Sequence, residues 1–145
     1  MQVDPRGQRF AAGLTTVVLV VVLATSSWAL LAAQAVVFAL GAIAGLRYAP
    51  YGLIFKALVR PRIGPPGELE DEAPPRFAQG VGLAFALIGA AGYALGAGWL
   101  GMIATAFALV AAFLNAAFGF CLGCEMYLVI KRIFPKKHSD REVPA

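Results

Sequence analysis

Long apolar runs alternate with polar segments along the chain. The runs cover about residues 10–24, 28–46, 77–97 and 99–120. The last three have about the 20 apolar residues with which a helix crosses a hydrocarbon layer of about 30 Å, whereas the first is slightly short and is expected to extend at both ends. The valine-rich stretch 17–22 would favour a strand in water, but in lipid a helix satisfies its own backbone hydrogen bonds. The pattern therefore predicts an all-α membrane protein with four transmembrane helices.

Two of the connections between the apolar runs are short and uncharged. Residues 25–27 and 96–98 contain no Lys, Arg, Asp or Glu, and a tryptophan follows each of them, Trp28 and Trp99. Tryptophan is enriched at the interface between membrane and water. The runs on either side of each turn are therefore expected to form two helical hairpins.

Each hairpin is followed by an amphipathic, basic stretch. Residues 47–60 and about 121–134 mix aromatic and aliphatic residues with Lys and Arg, and both are too short and too charged to span a bilayer. We expect an interfacial helix in each, the first starting after Pro50 and the second ending before Pro135. Residues 62–75 are rich in proline and in acidic residues, so they are expected to form an exposed linker.

A weak internal repeat relates the two hairpins. RFAAG at 9–13 recurs as RFAQG at 76–80, and YGL at 51–53 recurs as FGF at 118–120, both at an offset of 67 residues (76 − 9 and 118 − 51). Two copies with the same orientation would be related by an axis along the membrane normal. We therefore predict two tandem hairpins in parallel pseudo-repeat.

The repeat organises the chain as one membrane domain, residues 1–145. Repeat one covers about residues 9–61 and repeat two about 76–135, with the Pro-rich and acidic linker between them. The polar tail 136–145 follows and is expected to lack regular structure.

The two copies differ in length around the cysteines. Gly52 to Pro61 is 9 residues (61 − 52), whereas Gly119 to Pro135 is 16 (135 − 119). With the gap placed after Phe120, the seven additional residues of the second copy begin at Cys121 and end at Tyr127. The cysteine pair then belongs to one half and not to the shared scaffold.

The positive charges predict the orientation in the membrane. Of twelve Lys and Arg residues, two precede the first run, five lie between the second and third runs, five follow the fourth, and none lies in the short turns. With four spans these regions share one side, which the positive-inside rule makes the cytoplasm. Both termini are therefore expected in the cytoplasm. Topology explains the net charge of +4, and no basic patch with interleaved aromatic residues points to nucleic acid.

The only two cysteines, Cys121 and Cys124, form a Cys-Leu-Gly-Cys motif at the cytoplasmic end of the fourth run. This spacing suits a reversible disulfide, and the cytoplasm disfavours a permanent one, so we expect a reduced or transiently oxidised pair. A helix start lowers the pKa of a thiol, which predicts Cys121 as the reactive thiol and Cys124 as the resolving one. Glu125 is the third candidate catalytic residue, because its carboxylate opposes ionisation of Cys124 or accepts its proton.

Other interpretations of the cysteines remain open. They are also explained as two small apolar residues in helix packing. A metal site would need ligands from a homo-oligomer or a partner, because one pair supplies two of the usual four and the only histidine, His138, lies in the tail. Neither a metal nor another cofactor is therefore predicted for this chain.

A role in transport is the other alternative. The polar residues of the spans are too few to define a path: Thr15, Thr16, Gln34, Thr105 and Asn115. A buried Asn115 is expected to bond to a neighbouring helix or to position the cysteine region. The alternative function is a non-enzymatic membrane subunit, or a small transporter of a sulfur compound, in which the cysteines are structural.

Three stretches carry a resemblance to a known family: DPRGQRF at 4–10, PPRFAQG at 74–80 and FCLGCEMY at 120–127. Over about residues 3–134 the chain resembles the bacterial membrane family catalogued as domain of unknown function 4395. Its members tend to be encoded beside thioredoxin-like and rhodanese-type sulfurtransferase proteins. The resemblance therefore implies, by association, a role in thiol or sulfur metabolism and a cytoplasmic partner of one of these kinds.

Together these features predict a multi-pass protein of the bacterial inner (cytoplasmic) membrane. Its expected function is that of a thiol-redox or sulfur-relay component that uses the Cys121–Cys124 pair with a soluble thioredoxin-like or sulfurtransferase partner. The resemblance supplies no established activity, so whether the protein is an enzyme stays open.

Overall fold

The computed structural model of the protein describes residues 2–134. The predicted polar tail 136–145, with His138, and the predicted helix end at Pro135 lie outside these residues. The fold is all-α, with 83% of the residues helical, as the apolar pattern predicts. The helices are, in chain order, α1 (Pro5–Thr25), α2 (Trp28–Ala39), α3 (Pro50–Ile54), α4 (Arg60–Ile63), α5 (Ala73–Ala94), α6 (Gly98–Phe118) and α7 (Leu122–Ile133).

Short irregular helical turns extend two of these helices. A π-helical turn, Leu40–Ala44, continues α2, and another, Phe55–Val59, joins α3 to α4 in one continuous helix. A 3₁₀ turn over Leu46–Tyr48 precedes α3. Two short strands, β1 (Gln2–Val3) and β2 (Glu70–Asp71), pair antiparallel and tie the start of the chain to the segment before α5.

Three helices are long and apolar enough to cross a membrane: α1, α5 and α6, with 21, 22 and 21 residues. The predicted second span, 28–46, is instead an apolar helix that reaches from Trp28 to Ala44 and is shorter than the other three. It stops there because Gly45 has a φ of 114°, a backbone conformation that ends a helix and that glycine adopts without strain. The structure therefore shows an all-α fold with three helices that could cross a membrane, and leaves the fourth span as a proposal.

Helix α5 begins at Ala73, inside the predicted linker 62–75 and before the predicted start at Phe77. Prolines are tolerated at a helix start, where the missing N–H would have no partner in the helix, and Pro74 and Pro75 occupy that position. The end of the linker is thus ordered by β2 and by the first turn of α5.

The helices pack as a bundle in which α1 lies against α6, and α5 lies against both α6 and α2. The most deeply buried apolar side chains lie towards the uncharged turns, and Leu19 and Val22 are fully buried. The amphipathic helix α7 packs against α5 at the opposite end. This arrangement holds the start of α7 over the end of the bundle.

Candidate thiol site at the start of α7

Cys121 is the N-cap residue of α7. Its backbone is extended (φ −92°, ψ 103°), and its sulfur accepts a hydrogen bond from the backbone N–H of Cys124 at 3.2 Å. This position usually holds Ser, Thr, Asp or Asn, whose side-chain oxygen accepts such a bond. The cysteine sulfur therefore lies at the positive end of the helix, as the sequence analysis predicts for a helix that begins at this residue.

The sulfur atoms of Cys121 and Cys124 are joined in a disulfide, and the two Cα atoms are 5.1 Å apart. That separation lies within the usual range for disulfides, about 4.4–6.8 Å. The structure thus contains the oxidised form of the pair that the sequence analysis expects to be reduced or transiently oxidised.

The glycine between the cysteines sets the contact between α7 and α5. A Cβ atom added to Gly123 would lie 2.5 Å from Cβ and 2.6 Å from Cα of Ala78, well inside van der Waals contact. One turn further along, the rings of Tyr127 and Phe77 pack with their centroids 5.7 Å apart. The small residue lets α7 approach α5 closely, and this close approach positions the cysteines.

An apolar cavity of about 240 Å³ lies within the bundle beside Cys121. Alanine, glycine and phenylalanine account for more than half of its lining residues, and α5 and α6 contribute ten of the eighteen. Within residues 2–134 no charged side chain lines it, and its uncharged polar residues, apart from Cys121, are Gln8, Thr15, Gln79 and Asn115.

A second, smaller pocket of about 100 Å³ lies at the same end of the molecule. Both cysteines line it, together with the charged residues Arg9 and Glu70. It shares Gln8, Gln79, Asn115 and Cys121 with the apolar cavity. Cys121 therefore lies between an apolar cavity and a polar pocket, whereas Cys124 lines the polar pocket alone.

The predicted site residues are not all brought together. Cys121 and Cys124 are adjacent, and Asn115 lines both pockets beside Cys121. Glu125 is exposed, lies in the first turn of α7 and lines neither pocket. A carboxylate there is favourable at a helix N-terminus, so the position of Glu125 is explained without a part in the chemistry.

The other polar residues of the spans have structural partners. Gln34, which is 1% exposed, donates to the hydroxyl of Thr15 at 3.5 Å and accepts from the hydroxyl of Tyr51 at 2.7 Å. Thr16 and Thr105 donate to backbone carbonyls one turn earlier in their own helices. Hydrogen bonds within the fold thus account for most of the polar side chains that the sequence analysis considered as the lining of a transport path.

The sequence analysis missed two glutamines that line both pockets, Gln8 and Gln79. Gln79 could have been found, because a polar side chain inside an apolar helix is a candidate functional residue by default. Gln8 gives no such signal, since it lies in the polar head of the sequence. Its place in the wall follows only from the packing of α1 against α6.

No cluster of three or more His, Cys, Asp or Glu side chains that could hold a metal ion occurs within residues 2–134.

Fold and site together define a small all-α protein with three helices long and apolar enough to cross a membrane and a cysteine pair at one end of the bundle. The family described as Domain of unknown function (DUF4395) matches residues 3–132, and the chain belongs to that family. The match confirms the resemblance drawn from the sequence motifs. Neither the search of curated proteins nor that of solved structures gives a match.

Proposed function

We propose that the protein is a membrane-bound thiol-redox or sulfur-relay component whose working group is the Cys121–Cys124 pair. The observation that carries the proposal is the position of the pair, at the start of α7 and in the wall of a polar pocket, where both cysteines are partly exposed. A disulfide buried in a core would be inaccessible to another thiol. This one borders a pocket that also contains Arg9 and Glu70.

The N-cap position suits Cys121 to be the reactive thiol. In the reduced protein, the Cys124 N–H bond and the favourable potential of the helix start would both stabilise its thiolate. When its thiolate attacks the disulfide of a soluble partner, that bond breaks, one partner thiolate leaves, and Cys121 is held in a mixed disulfide. Cys124 then attacks the Cys121 sulfur, the second partner thiolate leaves, and the Cys121–Cys124 bond forms; the reverse sequence reduces the pair and oxidises the partner. In the sulfur-relay form, attack on a sulfane sulfur leaves a persulfide on Cys121 and releases the thiolate of the donor.

The proposal includes four spans, with both termini in the cytoplasm of a bacterial cell. The helix from Trp28 to Ala44 has 17 residues (44 − 28 + 1), at the lower end of the range of about 17–25 residues found for spans. The exposed Trp28 and Trp99 mark the opposite side of the membrane from Lys131 and Arg132 of α7. In this orientation the cysteine pair faces cytosolic thiols.

We also propose that the two hairpins are copies related by pseudo-symmetry, and two pairs of contacts support this. Arg9 donates to two carbonyl groups at the end of α6, and Arg76, 67 residues later, donates to two carbonyl groups in the turn that ends the α2 segment. Each arginine thus supplies donors to the unpaired carbonyls at the end of a helix from the other hairpin.

The aromatic contacts supply the second pair. The rings of Phe10 and Phe55 and those of Phe77 and Tyr127 pack at the same centroid separation, 5.7 Å. Matching Phe55 with Tyr127 gives an offset of 72 (127 − 55) and aligns α7 with the helix that starts at α3. In that alignment the residues from Cys121 to Tyr127 are not an insertion, in contrast to the gap placed from sequence.

The transport alternative has less support from the structure. Leu19 and Val22 are fully buried in the core between the cavity and the uncharged turns, so apolar side chains close the bundle beyond the cavity. A polar sulfur compound that crossed this region would need polar side chains there to bind it.

Maleimide labelling in native membranes tests the proposed function. A membrane-permeant maleimide is applied with and without prior reduction to the wild type and to the variants Cys121→Ser and Cys124→Ser, and an impermeant reagent reports the side. We expect labelling that rises on reduction, from the cytoplasmic side, and a change in the cell's use of sulfur in both variants. Inert thiols with unchanged sulfur use in the variants would contradict the proposal.

A further inference from the structure

The cavity beside Cys121 has room for one ring-sized ligand. Its volume is about 240 Å³, and an engineered apolar cavity of about 150 Å³ in another protein binds benzene. A six-membered ring with small substituents therefore fits inside. A long hydrocarbon chain attached to such a ring does not fit and would extend between the helices into the lipid.

The cavity wall selects a neutral, flat ligand. It contains three phenylalanine rings, of Phe38, Phe85 and Phe107, and those of Phe85 and Phe107 pack with centroids 6.2 Å apart. A peptide thiol or a nucleotide would bring charges into a wall where residues 2–134 supply no charged side chain to pair with them, and burying such charges unpaired is strongly unfavourable. An uncharged aromatic or quinonoid ring has no such cost.

Amide side chains are concentrated at the Cys121 end of the cavity. Gln8, Gln79 and Asn115 line both the cavity and the polar pocket, so they lie where the two meet at Cys121. Each amide offers two N–H donors. Carbonyl oxygens on a ring would accept these bonds, and a ring held by them would be next to the sulfur of Cys121.

The two cysteines differ in the surroundings that they meet. Cys121 lines both spaces, whereas Cys124 lines only the polar pocket with Arg9 and Glu70. Phe107, which is 62% exposed, is part of the cavity wall, so a reactant dissolved in the membrane can reach Cys121 from the cavity, whereas a cytosolic thiol meets the pair from the polar pocket. This arrangement suits a pair that passes electrons from a soluble thiol to an acceptor in the lipid.

From this geometry we propose that the cavity binds the ring of a membrane quinone, which oxidises the Cys121–Cys124 dithiol. The proposal rests on the thiol-redox function proposed above and names its electron acceptor. The two thiols give two electrons and two protons to the quinone, the Cys121–Cys124 bond forms, and quinol leaves.

The disulfide is reduced again by a cytosolic dithiol. A thiolate of the partner attacks the sulfur of Cys121 in the polar pocket, the disulfide breaks, and the electron pair stays on Cys124. The second thiol of the partner then attacks the mixed disulfide, and Cys121 leaves as a thiolate that the helix start stabilises. The partner is oxidised to a disulfide, and both cysteines of this chain are reduced.

Single-turnover oxidation of the purified full-length protein tests the proposal. The protein in nanodiscs is reduced with dithiothreitol, desalted without oxygen, and mixed with decylubiquinone, whose ring has no free position for thiol addition. Quinone absorbance and free thiols are measured together. We expect one quinone to be reduced for each pair of thiols lost, and no reduction above the protein-free rate in Cys121→Ser or Cys124→Ser.

A matched pair of α6 variants locates the reaction. Ala112→Phe places a ring in the cavity wall, whereas Val110→Phe adds a ring at a position that is 55% exposed and outside the cavity. We expect Ala112→Phe to slow quinone reduction by roughly tenfold or more and Val110→Phe to leave it unchanged. Ala112→Leu, a smaller change, should show an intermediate loss if the larger ring prevents folding.

Reaction of the same preparations with reduced thioredoxin, measured on the oxidised protein before dithiothreitol is added, separates this proposal from the one on which it rests, because only the oxidised protein carries a disulfide that thioredoxin can reduce. Wild-type protein that exchanges with thioredoxin but does not reduce decylubiquinone would overturn the quinone site and leave the thiol-redox function intact. Protein that does neither would overturn both. Equal quinone reduction in Ala112→Phe, Ala112→Leu and the wild type would place the reaction outside the cavity.

Discussion

The two amphipathic helices, α7 and the one that starts at α3, differ in what lies between them and the rest of the bundle. In the first half, the hydroxyl of Tyr51 in α3 reaches into the bundle and donates to the buried Gln34. In the second half, Gly123 of α7 has no side chain to insert, and a cavity lies beside it with Cys121 in its wall. In the first half, a side chain fills the space under the amphipathic helix and a hydrogen bond fixes the helix there. In the second half, a cavity remains under the amphipathic helix, next to the reactive Cys121.

A second difference concerns the arginines at the start of α1 and near the start of α5. Both donate to carbonyl groups at a helix end, but of the two only Arg76 is also paired with an acid within residues 2–134, namely Glu72, at 3.3 Å. Glu72 is 9% exposed. Arg9 instead lines the polar pocket with the cysteines. The arginine that lines neither pocket thus has the larger structural role, and the one beside the cysteines is freer to meet a partner.

The largest effect on stability is expected from Arg76→Ala. The change leaves the carboxylate of Glu72 buried without its partner, which in a fully buried pair costs about 3–5 kcal/mol. Because the side chain of Arg76 is 37% exposed, we expect a loss of about 2–3 kcal/mol in unfolding free energy here.

Arg9→Ala is the matched variant in the other half: it removes two hydrogen bonds of 3.3 Å and should cost about 1 kcal/mol. Unfolding of both variants in detergent, followed by circular dichroism, measures the difference, and equal losses would contradict it.

A smaller loss, with a change in the site, is expected from Gly123→Ala. The added methyl group would meet Ala78 and push the start of α7 away from α5, at about 1–3 kcal/mol. The rate at which a maleimide labels the reduced cysteines should change as well. Gly52→Ala in α3 is the control, since its new Cβ would meet its nearest neighbours at 3.5 Å and beyond. Similar behaviour of the two variants would show that close approach at Gly123 does not position the cysteines.

Tyr51→Phe tests the hydrogen bond that fixes the amphipathic helix of the first half. It removes the 2.7 Å bond to Gln34 and leaves a buried amide oxygen unpaired, which should cost about 1–2 kcal/mol in unfolding free energy. Cysteine labelling should be unchanged, because Tyr51 lines neither cavity nor pocket. Tyr127→Phe keeps the ring that packs on Phe77 and is the control in the second half. A change in cysteine labelling from Tyr51→Phe would mean that the two halves are coupled.

The smallest effect is expected from Asp4, the N-cap residue of α1. Its carboxylate accepts bonds from the backbone and guanidinium of Arg6, and the Arg6 hydrogen bond lowers the pKa of Asp4 below its ordinary value of 3.8. A lowered pKa gives stability that is full above the ordinary value and is lost as the pH falls through the lowered one. Asp4→Ala should cost about 1 kcal/mol at neutral pH. Unfolding curves of variant and wild type should converge in strong acid, and a gap that persists there would argue against this origin.

The sequence was sufficient for the broad fold because apolar runs and charged gaps are properties of the chain itself. It predicted four transmembrane helices, three of which are long and apolar enough in the structure to cross a membrane, and it predicted the amphipathic α7 with a cysteine at its start. It did not predict that Gly45 would end the second apolar helix early, because a glycine in an apolar run fits either a helix contact or a helix end. The conformation that decides between them is set by packing.

The site was only partly predictable for a similar reason. The spacing of Cys121 and Cys124 predicts thiol chemistry. It does not predict which side chains of the other helices lie beside the cysteines. Gln8 of α1 and Gln79 of α5 reach the cysteines only through the packing of three helices. Likewise, the alignment of the two halves through Phe55 and Tyr127 depends on ring contacts that a weak sequence repeat does not contain.

The central claim is that the Cys121–Cys124 pair is a working redox couple and not a structural bond or a packing pair. Its most direct test is the fraction of disulfide, measured by mass spectrometry in membranes equilibrated with thiol–disulfide buffers of graded potential. We expect one reversible two-electron transition above about −300 mV, the value below which structural disulfides typically lie. A pair that stays oxidised below that potential, or that forms no disulfide in any buffer, would contradict the claim.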